Sequence, residues 1–192
     1  MENTQQPQEP QYQFPTEEVT LPSKGLLYPE GSPLRSGKVT MKYMTAREED
    51  ILTNQNYIKN GTVIDKLLQS LIVDTTKVED LLIGDKNAIL VAARILGYGQ
   101  DYTFSYPNPT TGENEEVTVD LTEADDKELN SSLMIEGKNE FEFELPTSKV
   151  LLTFKLLTQE DEKKIEAELK GLKKINKTSS PELTTRLKHV IQ

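Results

Sequence analysis

The chain has no cysteine, no tryptophan and a single histidine, His189. Without cysteine there are no disulfides, no thiolate metal ligands and no thiol nucleophile, which fits a reducing compartment. With one histidine, both a histidine-rich metal site and a Ser-His-Asp constellation lack parts, and His189 reads as an ordinary surface or interface residue. Positive charge is also short: 22 Lys and Arg stand against 32 Asp and Glu, a net charge of -10. That balance repels phosphate backbones and anionic membranes at long range, so neither nucleic acid nor membrane is an expected partner. Long apolar runs are missing as well. The strongest, residues 88–96, contains Arg94 and falls far short of the ~20 residues that cross a bilayer. The amino terminus lacks the basic start and apolar run of a secretory signal, so synthesis and use in the cytoplasm are expected.

What is present is a globular composition: 192 residues, 35% hydrophobic and 28% charged. Residues 1–16, rich in Gln, Pro, Glu and Thr, bury too little to offset ordering and read as a flexible arm. Residues 17–192 are expected to form a single α+β domain, with 17–100 mainly helical and 101–192 holding hairpins plus helices. Through residues 19–33 the breakers Pro22, Gly25, Pro29, Gly31 and Pro33 alternate with Leu21, Leu26, Leu27 and Tyr28, predicting a loop pinned to a surface.

Periodicity then places the elements. Val39, Met41 and Tyr43 alternate with Thr40 and Lys42 as in a half-buried strand. Thr45, with Glu48 at the capping-box position, starts a helix expected over 46–57. Asn60-Gly61 stops it, and Thr62 opens a second helix whose stripe is Val63, Ile64, Leu67, Leu68, Leu71 and Ile72. After a helical turn near 78–83, Gly84-Asp85 is expected to break and cap a third helix over 86–96, apolar on nearly every side and therefore central and buried. Past Gly97-Tyr98-Gly99 the period becomes two. Tyr102, Phe104 and Tyr106, the turn-rich 107–112 and Val117, Val119 and Leu121 spell a hairpin with a long tip. A short exposed helix is expected over 123–133, and a second hairpin from Phe141, Phe143 and Leu145 through a turn at 146–148 to 150–157. Two carboxyl-terminal helices follow, 159–175 and one carrying Leu183, Leu187, Val190 and Ile191, separated by a linker at 177–181. A chain stopping on that last apolar face is expected either to continue or to have the face covered by an intertwined partner.

Thr40-Met-Lys-Tyr-Met-Thr45 with Glu48-Glu49 aligns with Thr153-Phe-Lys-Leu-Leu-Thr158 with Asp161-Glu162. The echo is either a duplicated strand-helix unit or the common grammar of a half-buried strand meeting a Thr-capped helix.

Three blocks carry a resemblance. The first is Leu21-Pro-Ser-Lys-Gly-Leu-Leu-Tyr-Pro29 with Thr45-Ala-Arg-Glu-Glu-Asp-Ile-Leu52. The second is Asp80-Leu-Leu-Ile-Gly-Asp-Lys-Asn-Ala-Ile-Leu90 with Arg94-Ile-Leu-Gly-Tyr-Gly99 and Tyr102. The third is Phe141-Glu-Phe-Glu-Leu-Pro-Thr-Ser148 with Leu157-Thr-Gln-Glu-Asp-Glu162 and Leu183-Thr-Thr-Arg-Leu-Lys-His-Val-Ile191. In order and spacing they resemble the baseplate hub and hub-assembly chaperone family of T-even-like phages. The resemblance implies a non-enzymatic subunit that builds the hub of a contractile tail, resident in the virion or active only during assembly in the host cytoplasm. It implies other tail and baseplate proteins, or further copies of the chain, as partners, and no cofactor. Some relatives place Cys-Pro-x-Cys-like pairs on hairpin tips to hold a metal. Here the position reads Tyr106-Pro-Asn-Pro109, so turns and packing must hold the tip.

No catalytic, cofactor or metal residue is assigned. Glu48, Glu49 and Asp50 are explained by the helix dipole and capping, and neither Lys24-Gly25 nor Gly97-Tyr98-Gly99 has the spacing of a phosphate loop. Arg94, in an apolar helix, is expected to meet a carboxylate or carbonyls. The residues expected to meet partners are Leu21, Pro22, Lys24, Leu26, Leu27 and Tyr28 on the proline-ordered loop, and Leu187, Val190 and Ile191 on the last helix. The alternative for the loop is self-packing.

Overall fold

A computed structural model describes residues 14–124, 127, 130–175 and 181–192. Nearly all of the expected arm and most of the 177–181 linker lie outside them. The architecture is α+β, as the patterning implies: six helices and three two-stranded antiparallel sheets among the described residues.

β1 (Thr16–Thr20) pairs with β2 (Lys38–Lys42), Val19 opposite Val39. The sequence reading had no strand at β1, because Thr16-Glu-Glu-Val-Thr20 carries one apolar residue and its strand character comes only from its partner. The helix expected over 46–57 is two: α1 (Ala46–Thr53) and α2 (Gln55–Asn60). Asn54 interrupts it with extended backbone, its side chain accepting hydrogen bonds from the amides of Asn56 and Tyr57. α3 (Val63–Leu71) turns Leu67, Leu68 and Leu71 inward, as its stripe requires.

α4 (Ile83–Tyr98) begins a turn earlier than expected. Gly84 and Asp85 lie inside its first turn, where they neither break nor cap it, and Asp85 is buried. Asp85, Ile89 and Ala93 form its fully buried line, while Val91 and Tyr98 are exposed. β3 (Asp101–Pro107) and β4 (Asn114–Asp120) make the first predicted hairpin. The short helix expected over 123–133 lies partly outside the described residues; at its described ends are 3₁₀ turns at Leu121–Glu123 and Ser131–Leu133, whose first amides are met by the side chains of Asp120 and Asn130. β5 (Phe141–Glu144) and β6 (Leu151–Phe154) form the second hairpin, followed by α5 (Gln159–Ile175) and α6 (Glu182–Val190).

The two echoing segments build the same local structure. In the first, the buried Glu48 carboxylate receives the Lys42 ammonium at 2.8 Å, the Thr45 amide at 2.9 Å and the Thr45 hydroxyl at 2.5 Å. In the second, the buried Asp161 receives Lys155 at 2.9 Å and the Thr158 amide and hydroxyl, both at 3.1 Å. Each strand also takes on the residue that ends a later helix, Met41 pairing with Ile72 after α3 and Phe154 with Ile191 after α6. The next amide then closes the turn, Val73 donating to Thr40 and Gln192 to Thr153. Strand, capped helix and returning helix end therefore recur as a unit. α4 links the two: at its start Ile83 donates to the Leu157 carbonyl and Leu82 bridges Thr158, and at its end the Tyr98 hydroxyl donates to Glu49 at 2.6 Å.

The main apolar core gathers Leu21, Leu27, Leu34, Val39, Met41, Leu68, Leu71, Leu81 and Ile89. It lies beside the first unit, under the 21–37 loop and against α4.

Candidate docking surfaces

The loop between β1 and β2 folds over its own sheet. Gly25 and Gly37, both with positive φ, let two stretches of backbone cross so closely that a Cβ on Gly25 would run into the Arg35 carbonyl. Asp85 anchors the crossing from α4: it accepts from the Ser23 amide at 3.0 Å, the Ser23 hydroxyl at 2.7 Å and the Tyr28 hydroxyl at 2.6 Å. The Tyr28 oxygen in turn accepts from the Leu82 amide at 2.9 Å, and burial together with the Asp85 carboxylate pushes the phenol far above its ordinary range. Arg35 completes the fastening by donating to the Leu26 and Tyr28 carbonyls while pairing with Glu136.

This geometry sorts the expected contact residues. Leu21, Leu27 and Tyr28 are 0, 3 and 5% exposed, so what they touch is the chain's own interior. The sequence offered self-packing as the alternative, and for these three the Asp85 anchor supplies it. Pro22 and Leu26 are half-buried and Lys24 is exposed. Pro22 borders an apolar groove of about 350 Å³ that also takes in Leu27, Leu82, Ile83, Met134, Leu156 and Leu157. Leu133, Ile135 and Leu156 are exposed in the same part of the chain. On α6 Leu187 is exposed and Val190 half-buried, and Ile191 just after it is exposed, while the backbone of Val190 and Ile191 extends β6: Val190 accepts from the Lys155 amide at 2.9 Å. Leu183, 72% exposed, Phe143, Val150 and Leu151 add further uncovered apolar side chains. Loop and α6 residues are not brought together into one site.

Asp85 apart, whose donors are all neutral, the buried charged groups among the described residues are ion-paired. Asp65 meets Lys86 and Lys163, each at 3.0 Å, and the Gln159 amide at 3.0 Å, joining α3, α4 and α5. Burial raises the carboxyls of Asp65 and Asp161, and the lysines that bond to them more than offset it, so both lie below the usual range. Glu48 follows the same pattern, burial opposed and outweighed by hydrogen bonds from Lys42, Ser70 and Thr45, and is lowered to about 2. Carboxyls held down in this way stay ionised at neutral pH, away from the range where a side chain exchanges protons readily. Their role in the fold is to fasten elements together. Glu49 accepts from Tyr98, and His189 lies 3.2 Å from Glu168. Arg94 meets carbonyls, as expected, those of Gly99 at 2.9 Å and Asp101 at 3.1 Å, and lies against the rings of Tyr98 and Tyr102. Sequence reasoning missed the Asp85 and Asp65 anchors, since a lone acid near a helix start reads as a cap. It also passed over the Lys-x-x-Thr-x-x-acid spacing shared by both echoes, which was there to be read.

These features define a class: a mixed α+β protein whose described buried charges are each ion-paired or hydrogen-bonded and whose apolar side chains are left uncovered in several places. The chain belongs to the T4 bacteriophage base plate protein family, whose model matches residues 15–183. No curated protein and no solved structure matches it.

Proposed function

We propose that the chain is a subunit of the baseplate hub of a contractile-tailed phage, built to hold other tail and baseplate proteins and not to catalyse a reaction. The observation that carries this reading is the family match, which runs from β1 through α5 and ends as α6 begins. Uncovered apolar groups are the physical support. Loose surface leucines are ordinary, but a groove continued by exposed Leu156, and a last helix with Leu183, Leu187 and Ile191 outward, are the kind of surface that a neighbouring subunit covers. Pro22, Lys24 and Leu26 on the loop and Leu187, Val190 and Ile191 on α6 are the contact residues proposed, with Leu21, Leu27 and Tyr28 holding the loop in shape from beneath. Residues 17–192 act as one body in this reading, tied across by Asp65 with Lys163 and Arg35 with Glu136. Assembly takes place in the host cytoplasm, among baseplate proteins and with further copies of the chain, and calls for no cofactor.

Quantitative mass spectrometry of purified virions tests the reading. Stoichiometric presence with the other baseplate proteins is the expected result. Absence from virions, with presence in baseplate intermediates, would replace the resident subunit by a transient assembly chaperone. Absence from both would reject a baseplate role altogether.

A further inference from the structure

Beyond its root, where Arg94 meets Asp101 and Tyr102, the β3–β4 hairpin has no role in the contacts described so far. Its register places Tyr102 opposite Val119, Phe104 opposite Val117 and Tyr106 opposite Glu115, so the three aromatic residues and two valines share one face. Thr103 and Thr118 bond to each other on the reverse face, with Asp101, Glu116 and Asp120 on the same side. The aromatic face is uncovered: Tyr102, Phe104, Tyr106 and Val119 are each about two-fifths exposed, their rings in a ladder with centroids 5.9 and 6.3 Å apart. No other element packs extensively on the hairpin among the described residues. At its root the face continues into a hollow of about 240 Å³ lined by Leu90, Val91, Arg94, Tyr102 and Leu121.

Charge says what fits there. Between Arg94 and Lys127 the sequence contains no lysine or arginine, while Asp101, Glu113, Glu115, Glu116 and Asp120 all lie on or beside the hairpin. A second copy would bring an equally acidic ribbon free of lysine and arginine, and a nucleic acid would bring phosphates; both are repelled at long range. A two-stranded ribbon alone in water is marginal, and aromatic side chains that are half-exposed here are the ones that protein interfaces favour at their centre.

We propose that this hairpin is a docking arm for a basic protein segment, apolar on one side and edged with Lys or Arg. The apolar side lies along Tyr102, Phe104, Tyr106, Val117 and Val119, and long cationic side chains at its edges meet Glu115 on that face and reach round the narrow ribbon toward Asp101, Glu116 and Asp120 on the other. The aromatic face supplies contact area, and the acidic margins choose the partner. The inference is independent of the hub reading, which the virion measurement decides.

Isothermal titration of the full chain with three synthetic twelve-residue peptides tests it. One alternates lysine with leucine, one lysine with serine, and one glutamate with leucine. Only the first is expected to bind near physiological salt, at least tenfold more tightly than either control. Phe104→Ser is expected to weaken it at least tenfold. The double variant Glu115→Lys, Glu116→Lys is expected to shift preference toward the glutamate-leucine peptide, an outcome that loss of the hairpin's structure would not give. Equal binding of the lysine-serine peptide would reduce the effect to charge alone and overturn the proposal. So would affinity for the lysine-leucine peptide that Phe104→Ser leaves unchanged, or no binding by any peptide.

Discussion

Glu48 and Lys42 are a buried ion pair that doubles as a helix cap. The Lys42 side chain is only 11% exposed and Glu48 is fully enclosed, so neither charge has water to fall back on. The pair is weak evidence for stability in itself, since desolvation opposes its attraction, but breaking it strands a charge. Glu48→Gln keeps the shape and removes the charge. It is expected to cost about 3 kcal/mol, read as a lower urea midpoint with an unchanged slope. Substitution of the neighbouring exposed Asp50 by Asn should shift the midpoint by less than about 0.5 kcal/mol. The contrast separates a buried anchor from acids that merely decorate the start of a helix.

At the scale of elements, the β1–β2 loop depends on a backbone crossing that only glycine permits. Gly25 has a φ of 75° and a Cβ there would strike backbone, which cannot swing aside as a side-chain tip can. Gly25→Ala is therefore expected to destabilise by about 2 kcal/mol or more, with loss of near-ultraviolet tyrosine ellipticity as Tyr28 leaves Asp85. Gly84→Ala, at an α4 position with nothing within 4 Å of the added carbon, should be neutral or slightly stabilising. The elements themselves were largely legible in the sequence. Alternation at Val39 and Met41, the stripe of α3 and both hairpins came directly from spacing. β1 was not legible, because one valine among polar residues becomes a strand only when Val39 lies opposite it. The break at Asn54 was a matter of local chemistry: its side chain competes for the amides of Asn56 and Tyr57, and apolar spacing carries no trace of that. Of the expected docking residues, spacing found the apolar ones but gave no way to tell Leu21, which points in, from Pro22, which lines the groove. That distinction needs Asp85, a residue 62 positions from Ser23.

For the whole molecule, the consequence of its paired acids is sensitivity to acid. Glu48, Asp65 and Asp161 all have folded values below their ordinary ones. Their contribution is complete above the unfolded carboxylate range of about 4, and is lost as pH falls toward the folded values, for Glu48 toward about 2. Unfolding followed by circular dichroism should show stability falling steeply between about pH 4.5 and 2, with little change from pH 6 to 8 from these groups. The Glu48→Gln variant, already weakened, should show a shallower fall across that window. A steep loss centred above pH 6 would mean that other groups govern.

Arg94 holds the hairpin where it leaves the body, its guanidinium donating to carbonyls on both sides of Gln100 and lying against two tyrosine rings. In mechanical terms this is a clamped beam. The ribbon's root is thus braced on the last turn of α4, and the far end of that helix is tied to Leu157 and Thr158. One rod therefore joins the foot of the ribbon to the second strand-helix unit.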